Sequence, residues 1–311
     1  MVGQVLFGIN NIYSVLTDGR QLQCRIKGKI LKLDEKVYNP IAVGDFVELK
    51  PDPITDGTGW IHQRRARKSS LIRWNKKRKA AQVITANADL LLCIASADAP
   101  PFRPRFIDRL LISAEAGNME PVIVLNKCDL GLDRSTDERL EVYSTLGYRV
   151  VRCSALTGEG IPELRKAIAD RLAVFAGQSG AGKSSLLNCL DPDLRLKVRE
   201  ISRKHNRGVH TTSYSVMLKL KNGLTLIDTP GIREFELVGI KPEELYHYFR
   251  DLARYAPQCA YYACLHIDEP GCAVRNALAE GKIHTDRYES YLRLYDNLRD
   301  LQKEYYGSAY S

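Results

Sequence analysis

The chain has 311 residues, 46 Lys or Arg against 37 Asp or Glu, and a formal net charge of +9. That length provides for two or three domains with ample core, and the basic balance favours a polyanionic partner such as nucleic acid over an acidic protein. No apolar run approaches a membrane span and the N-terminus MVGQVLFGIN lacks a charged leader, so a cytoplasmic protein without a membrane partner is expected, with its eight cysteines mainly as reduced thiols.

Residues 1–70 hold short alternating segments: Gln4 to Gly8, Ile12 to Leu16, Leu22 to Arg25, Val43 to Leu49 and Trp60 to Gln63. Turn signals at Asp18-Gly19, Asn39-Pro40 and Asp56-Gly57 separate them. They predict an all-β barrel of about five strands. An OB-fold is favoured because such barrels bind single-stranded or structured nucleic acid, with an SH3-like barrel as the alternative. The stretch from Arg64 to Lys79 carries nine Lys or Arg, no acid, and Trp74. Residues 71–79 are expected to form a basic linker, and the cations and aromatic of the whole stretch to face RNA with salt-sensitive affinity.

From Gln82 the pattern becomes α/β, and this domain is expected over 80–238. Strands are predicted at Asp89 to Ala95, Val122 to Leu125, Tyr148 to Val151 and Leu172 to Ala176, and helices at Arg105 to Ala116, Thr136 to Leu146 and Ile161 to Leu172. Their alternation implies a doubly wound, largely parallel sheet.

Strand 122–125 feeds Asn126, Lys127, Cys128 and Asp129. A carboxylate ending an N-K-x-D turn accepts two hydrogen bonds from the N1–H and exocyclic amine of guanine. Adenine presents no matching donor pair, so Asp129 selects guanine. Lys127 lays its stem along the base plane. Cys153-Ser154-Ala155 follows the next strand and fits a loop backing the base through Ser154 and Ala155.

Gly177 to Ser185 reads GQSGAGKSS and fits G-x-x-x-x-G-K-[ST] between a strand and a helix over Ser185 to Leu190. The backbone of Gly177, Gln178, Ser179, Gly180, Ala181, Gly182 and Ser185 is suited to close around phosphate oxygens. Lys183 would reach the β- and γ-phosphates and the Ser184 hydroxyl would ligate Mg²⁺. A basic stretch, Arg195 to Thr212, ends in GVHTTS, where Thr211 or Thr212 should cap Mg²⁺ and the γ-phosphate. After the strand Leu224 to Ile227 comes DTPG, in which Asp228 holds Mg²⁺ through water and the Gly231 N–H senses the γ-phosphate. Ile232 stands where Ras-like enzymes place a water-orienting Gln, so intrinsic hydrolysis should be slow. His210, beside the threonines, is the candidate to complete the site.

Residues 239–311 read as mostly helical, interrupted by Cys259, Cys264, His266 and Cys272 in the spacing C-x₄-C-x-H-x₅-C. Three thiolates and an imidazole make a closed tetrahedral set of the structural Zn²⁺ type. Tyr288, Tyr291, Leu292, Leu294, Tyr295 and Leu298 mark a long helix whose tyrosines are expected to pack.

Ordinary GTPases run phosphate loop, Thr loop, DxxG, NKxD, SA; here NKCD and CSA come first. This is a circular permutation, tolerated because native termini lie at the surface and often close together. The order NKCD, CSA, GQSGAGKSS, HTT, DTPG resembles the RsgA (YjeQ) family of ribosome-associated GTPases over essentially the whole chain. That resemblance selects Thr212 over Thr211 and matches the C-terminal zinc module. It further implies hydrolysis of GTP to GDP, stimulated by the small ribosomal subunit. The partners implied are that subunit and its 16S rRNA rather than DNA, with a role in late subunit maturation; a monomer is the default. The residues by themselves leave open a nucleotide-switched RNA-binding module with vestigial hydrolysis, or a translation or tRNA-modification GTPase with another RNA target.

Overall fold

The computed structural model describes residues 1–27, 37–193, 215–221, 223–229 and 235–307. Strands β1 (Val2–Ile9), β2 (Ile12–Thr17), β3 (Arg20–Ile26), β4 (Phe46–Pro51) and β5 (Thr58–Arg64) close into a barrel in the order β1-β2-β3-β5-β4. Alternation turns Val5, Val15, Val47, Leu49 and Ile61 inward. β3 runs parallel to β5 while the other barrel pairs are antiparallel, which is the partly crossed order of an OB-type barrel and excludes a simple meander. β4 begins at Phe46 rather than Val43. The intervening residues bridge Val43 to Thr85 and bury Asp45, whose carboxylate takes a bidentate contact from Arg67 at 2.7 Å.

The predicted linker at 71–79 is instead part of a hairpin, β6 (Ser70–Asn75) with β7 (Ala80–Ala86). Apolar residues scattered among its cations explain the difference: Leu71, Trp74 and Val83 are buried. Trp74 therefore packs and does not face RNA, and its N–H donates to the Glu236 carbonyl at 3.1 Å. Several of the cations are also engaged, Arg65 with Glu48, Arg67 with Asp45, Lys68 with Asp89 and Lys76 with Glu236. Less of this positive run is free for a polyanion than its composition suggests.

The central sheet contains β8 (Leu90–Ser96), β9 (Glu120–Asn126), β10 (Arg149–Arg152), β11 (Leu172–Gly177), β12 (Val216–Lys219) and β13 (Thr225–Asp228), in the order β10-β9-β8-β11-β13-β12. All are parallel except the edge strand β12. Every residue of β8 is buried, as expected of a central parallel strand covered on both faces. Leu91, Cys93 and Ala95 pack with α1 (Pro104–Ala116) and α2 (Arg134–Thr145). Leu90, Leu92 and Ile94 pack on the opposite face with α3 (Ile161–Ile168), α4 (Lys183–Leu190) and the barrel's Phe7. α3 stops four residues before Leu172 because Leu172 opens β11, paired with Thr225.

The C-terminal region comprises a short 3-10 segment (Pro242–Tyr248), α5 (Arg250–Tyr255), α6 (Ala273–Ala279) and α7 (Thr285–Gly307). Phe249, Leu252 and Tyr291 belong to the same core as Leu110, Leu111 and Tyr143, so this region is fused to the α1/α2 side of the sheet. A buried ionic cluster orients the junction. Arg287 contacts Asp108 at 2.7 Å and Asp251 at 2.7 and 2.9 Å, Arg139 contacts Asp108 at 3.0 Å, and the Tyr143 hydroxyl donates to Asp108 at 2.7 Å. Each side brings one Asp and one Arg, so the cluster is neutral, and removing one member would strand a buried charge at a cost of about 3–5 kcal/mol. No helix among the described residues is long and apolar enough to cross a membrane.

His284 borders this cluster, its Nδ1 3.1 Å from Arg139. Burial, and then the neighbouring Arg139 guanidinium, hold its imidazole below the usual histidine range, with Asp286 and Asp108 opposing. The unfolded chain therefore takes up this proton more readily than the folded one. The contribution is intact above pH of about 6.5 and is lost as pH falls from there towards the depressed folded value. Urea titrations should show a drop in midpoint below neutrality that is smaller in His284→Gln; identical pH profiles would remove His284 as the cause.

Candidate functional site

Parallel strands present their C-terminal ends at one edge, and ligands of such sheets bind in the crevice outside those ends. Here the ends of β9, β10, β11 and β13 release Asn126 to Asp129, Cys153 to Ala155, Gln178 to Gly182, and Thr229. Segments distant in sequence thus become neighbours.

Asn126 ties three of them together. It is 1% exposed; its Nδ2 donates to the Ala181 carbonyl at 3.0 Å, and its Oδ1 accepts from the Ala155 N–H at 3.0 Å. The Asp129 carboxylate is exposed and accepts from the Ser154 hydroxyl at 2.5 Å, while the Ser154 oxygen in turn accepts the Leu156 and Thr157 N–H groups. The Cys128 N–H donates to the Cys153 carbonyl at 3.1 Å. NKCD and CSA therefore form one hydrogen-bonded unit with Asp129 at its rim. Lys127, at φ 64°, donates through Nζ to the Ala99 carbonyl.

Two glycines of the phosphate loop are required by space. A Cβ on Gly177 would lie 2.3 Å from the Ile94 carbonyl oxygen, and one on Gly182, at φ 87°, would lie 2.1 Å from Asn126 Nδ2. Gly182 caps α4, which starts at Lys183 and places the exposed Ser184 in its first turn. Ser179, Gly180 and Ser185 are also exposed or partly so, whereas Gln178 and Ala181 are buried. Lys183 Nζ donates to the carbonyls of Gly177 and Gln178 at 2.7 and 2.9 Å. Burial pushes the Lys183 ammonium down and the Asp228 carboxyl up, each opposed by the other's charge. The Lys183 ammonium is held by two backbone carbonyls, which an incoming phosphate can replace. Thr229 anchors the end of β13 by donating to the Phe175 carbonyl at 2.6 Å. A hydroxyl and a carboxylate are oxygen donors that suit a hard cation such as Mg²⁺. His210, Thr212, Gly231 and Ile232 lie outside the described residues.

The sequence missed the loop after β8. Gln178 Nε2 donates to the Pro101 carbonyl at 3.1 Å, and Ala99 receives Lys127, so residues 98–101 brace both the phosphate loop and the base-reading turn. The available signal was the position of Asp98-Ala99-Pro100-Pro101 at the C-terminal end of a fully buried strand.

The second site is the cluster of Cys259, Cys264, His266 and Cys272, whose ligand atoms all lie within 4.8 Å of one another. With Zn–S near 2.3 Å and Zn–N near 2.0 Å, a tetrahedron has edges of roughly 3.5–3.8 Å. His266 Nδ1 lies 3.5 Å from both Cys259 Sγ and Cys272 Sγ, and those sulfurs are 3.9 Å apart. The donor set is compatible with zinc held through Nδ1. Outer contacts lock the loop: Glu269 accepts the Leu265 and Ile267 N–H groups, and the Tyr288 and Tyr291 hydroxyls donate to the His266 and Leu265 carbonyls at 2.7 and 2.6 Å. The tyrosines of α7 do pack, and they also clamp the cluster.

Comparison with known proteins gives the family. A family model described as "RsgA GTPase" matches residues 64–238, and one described as "RsgA N-terminal domain" matches residues 2–61. The "Small ribosomal subunit biogenesis GTPase RsgA" of Borrelia garinii subsp. bavariensis is 41% identical, over 96% of this chain and 97% of its own. The protein of the same name from Chlorobaculum parvum is 43% identical, over 90% and 92%. Among solved structures, YjeQ from Thermotoga maritima superimposes with a TM-score of 0.73 at 33% identity, covering 96% of this chain and 98% of that one. YloQ, described as a circularly permuted GTPase, superimposes with a TM-score of 0.68 at 28% identity, covering 96% and 95%.

Proposed function

Since the chain belongs to the RsgA family of GTPases, we propose that it binds the small ribosomal subunit through 16S rRNA, assists its late maturation, and hydrolyses GTP to GDP and phosphate when docked there. The observation that carries this is the convergence of NKCD, CSA, the phosphate loop and Asp228 on one sheet edge, held by Asn126. It is joined to a barrel of oligonucleotide-binding type and a net charge of +9.

Within that function Asp129 reads guanine, oriented by Ser154; Lys127 and Ala155 flank the base, with Cys128 inside the turn. The amides of the phosphate loop and Lys183 hold the phosphates before and during transfer. Ser184, Thr212 and Asp228 would hold Mg²⁺, which when bound neutralises charge on the β- and γ-phosphates. The Gly231 N–H senses the γ-phosphate. Ile232 cannot orient water, so His210 is assigned that task once the subunit is bound. Cys259, Cys264, His266 and Cys272 hold one structural Zn²⁺. The protein acts as a monomer in the cytoplasm, without membrane or DNA partners.

Co-sedimentation with separated ribosomal subunits, together with phosphate release, tests this. Binding to the small subunit alone, stronger with a non-hydrolysable GTP analogue than with GDP, is expected. Its rate stimulation should fall by about 100-fold in His210→Ala, the usual scale of a positioned catalytic side chain. Equal binding to both subunits would sink the assignment of partner, and equal stimulated rates would remove His210.

A further inference from the structure

Between the barrel and the central sheet lies a cavity of about 270 Å³, close to the lower end of the roughly 300 Å³ at which small-ligand pockets begin. Its described walls include the β1–β2 turn with Asn10 and Asn11, the segment from Tyr38 to Val43, the hairpin with Arg73 and Gln82, Ser215, and Thr229 directly after Asp228. Tyr13 and the half-exposed Tyr38 add aromatic surface. No Asp or Glu lines it, and Arg73 is its one charged wall residue among the described residues.

Arg73 is an unusual cation for a protein wall. Its contacts are weak ones to Gln82 Oε1, at 3.4 Å from Nε and 3.3 Å from Nη2, and that oxygen is shared with Asn75 Nδ2 at 3.1 Å. Burial lowers its basicity, with no carboxylate opposing among the described residues. The buried carboxylate of Asp45, between β1 and β4, is already taken bidentately by Arg67. A guanidinium that is partly desolvated, has no carboxylate partner among the described residues and lines a cavity is suited to a bidentate anion, and phosphate is the anion its fork fits best. Asn10 and Asn11, at φ 50° and 62°, form the turn at the end of the barrel where loops of this fold meet nucleic acid. Tyr38, half-exposed and with the Arg78 guanidinium 5.1 Å from its ring centre, adds an aromatic and a cation to the side where a base would stack.

We propose that this cavity receives one phosphate-bearing nucleotide of a single-stranded RNA segment, the phosphate on Arg73 and the base towards Tyr38, Asn10 and Asn11. The RNA source rests on the function proposed above; the phosphate chemistry does not. Because Thr229 forms part of the wall and follows Asp228 directly, an occupied cavity touches the segment that carries the metal-binding carboxylate. The barrel thereby reports RNA engagement to the GTP site over a distance of one residue.

The test uses the full-length protein saturated with GDP and Mg²⁺, so that the central site is filled. Fluorescein-labelled hexauridylate is titrated by anisotropy, and unlabelled UMP is added as competitor. In Arg73→Met the hexamer should bind about tenfold more weakly, the scale of one charge-assisted contact, and the slope of log K on log salt should become shallower by about 0.7. Arg73→Lys should recover part of the affinity. Arg149→Met, which removes an exposed cation on the far edge strand β10, should change it less than about twofold. Thermal melts show that each variant is folded. Hexamer binding that UMP does not displace and that Arg73→Met leaves unchanged would place the RNA elsewhere and overturn the proposal. Equal effects of the Arg73 and Arg149 substitutions, or binding of neither probe by the wild type, overturn the proposal. Small-subunit co-sedimentation, run separately, reports on the proposed function without reference to the cavity.

Discussion

Asp129→Asn should lower GTP affinity by roughly a thousand-fold while leaving the protein folded. In the proposed function the carboxylate accepts two hydrogen bonds from guanine, and each such bond to a charged group contributes about 1.5–3 kcal/mol, so losing both costs on the order of 10²–10⁴ in affinity. Its exposure means that folding does not depend on it, and its one described partner, Ser154, can hydrogen-bond an amide equally well. The amide supplies a donor where the carboxylate supplied an acceptor. Xanthine carries a carbonyl where guanine carries the amine, so xanthosine triphosphate should bind the variant better than GTP does. Calorimetric titration with GTP, ATP and xanthosine triphosphate reads all three. Unchanged GTP affinity, or wild-type protein that binds ATP as well as GTP, would break the link between this edge of the sheet and guanine.

Cys272→Ser should abolish stoichiometric zinc and lower the melting temperature by more than about 10 °C. Structural zinc contributes folding free energy outright, and for a domain of this size each kcal/mol lost corresponds to roughly 2–4 °C. The effect should not stay local. Cys272 and Cys264 lie in the same core as Phe249 and Tyr291, and Tyr288 and Tyr291 hold the His266 loop against α7. Loosening the cluster therefore loosens the junction at which Arg287 meets Asp108. Metal content by mass spectrometry and a calorimetric melt check this together. A metal-free wild type of undiminished stability would show that the four side chains pack without an ion.

Both expectations rest on residues that stand out in the sequence. NKCD, GQSGAGKSS and C-x₄-C-x-H-x₅-C are visible because their chemistry needs particular atoms at particular spacings, and tertiary context cannot substitute for them. Less visible was the hairpin β6–β7, where nine cations masked Leu71 and Trp74; local charge density indicates solvent, and only packing against Glu236 and α1 shows which side of the hairpin is covered. Residues 98–101 carry no motif, because they act through carbonyl groups, and any residue type has one.

What the amino-acid order alone determined was chemistry and period: an N-K-x-D turn ending in the Asp129 carboxylate, a G-x-x-x-x-G-K-S loop with Lys183, a Cys₃His set, and strands of alternating or continuous apolar character. These depend on side-chain identity and on neighbours a few positions away. The tertiary structure decided everything that depends on the meeting of distant residues. It made Asn126 the tie between NKCD, CSA and the phosphate loop, fused the helices around the Cys₃His cluster to α1 and α2 through Arg287, and set Arg73, with no carboxylate partner among the described residues, in one cavity wall with Thr229. The physical reason is that burial and pairing are properties of three-dimensional neighbourhoods: an Arg on a strand can be a solvated charge or a half-buried cation in a cavity wall, and no local pattern tells the two apart.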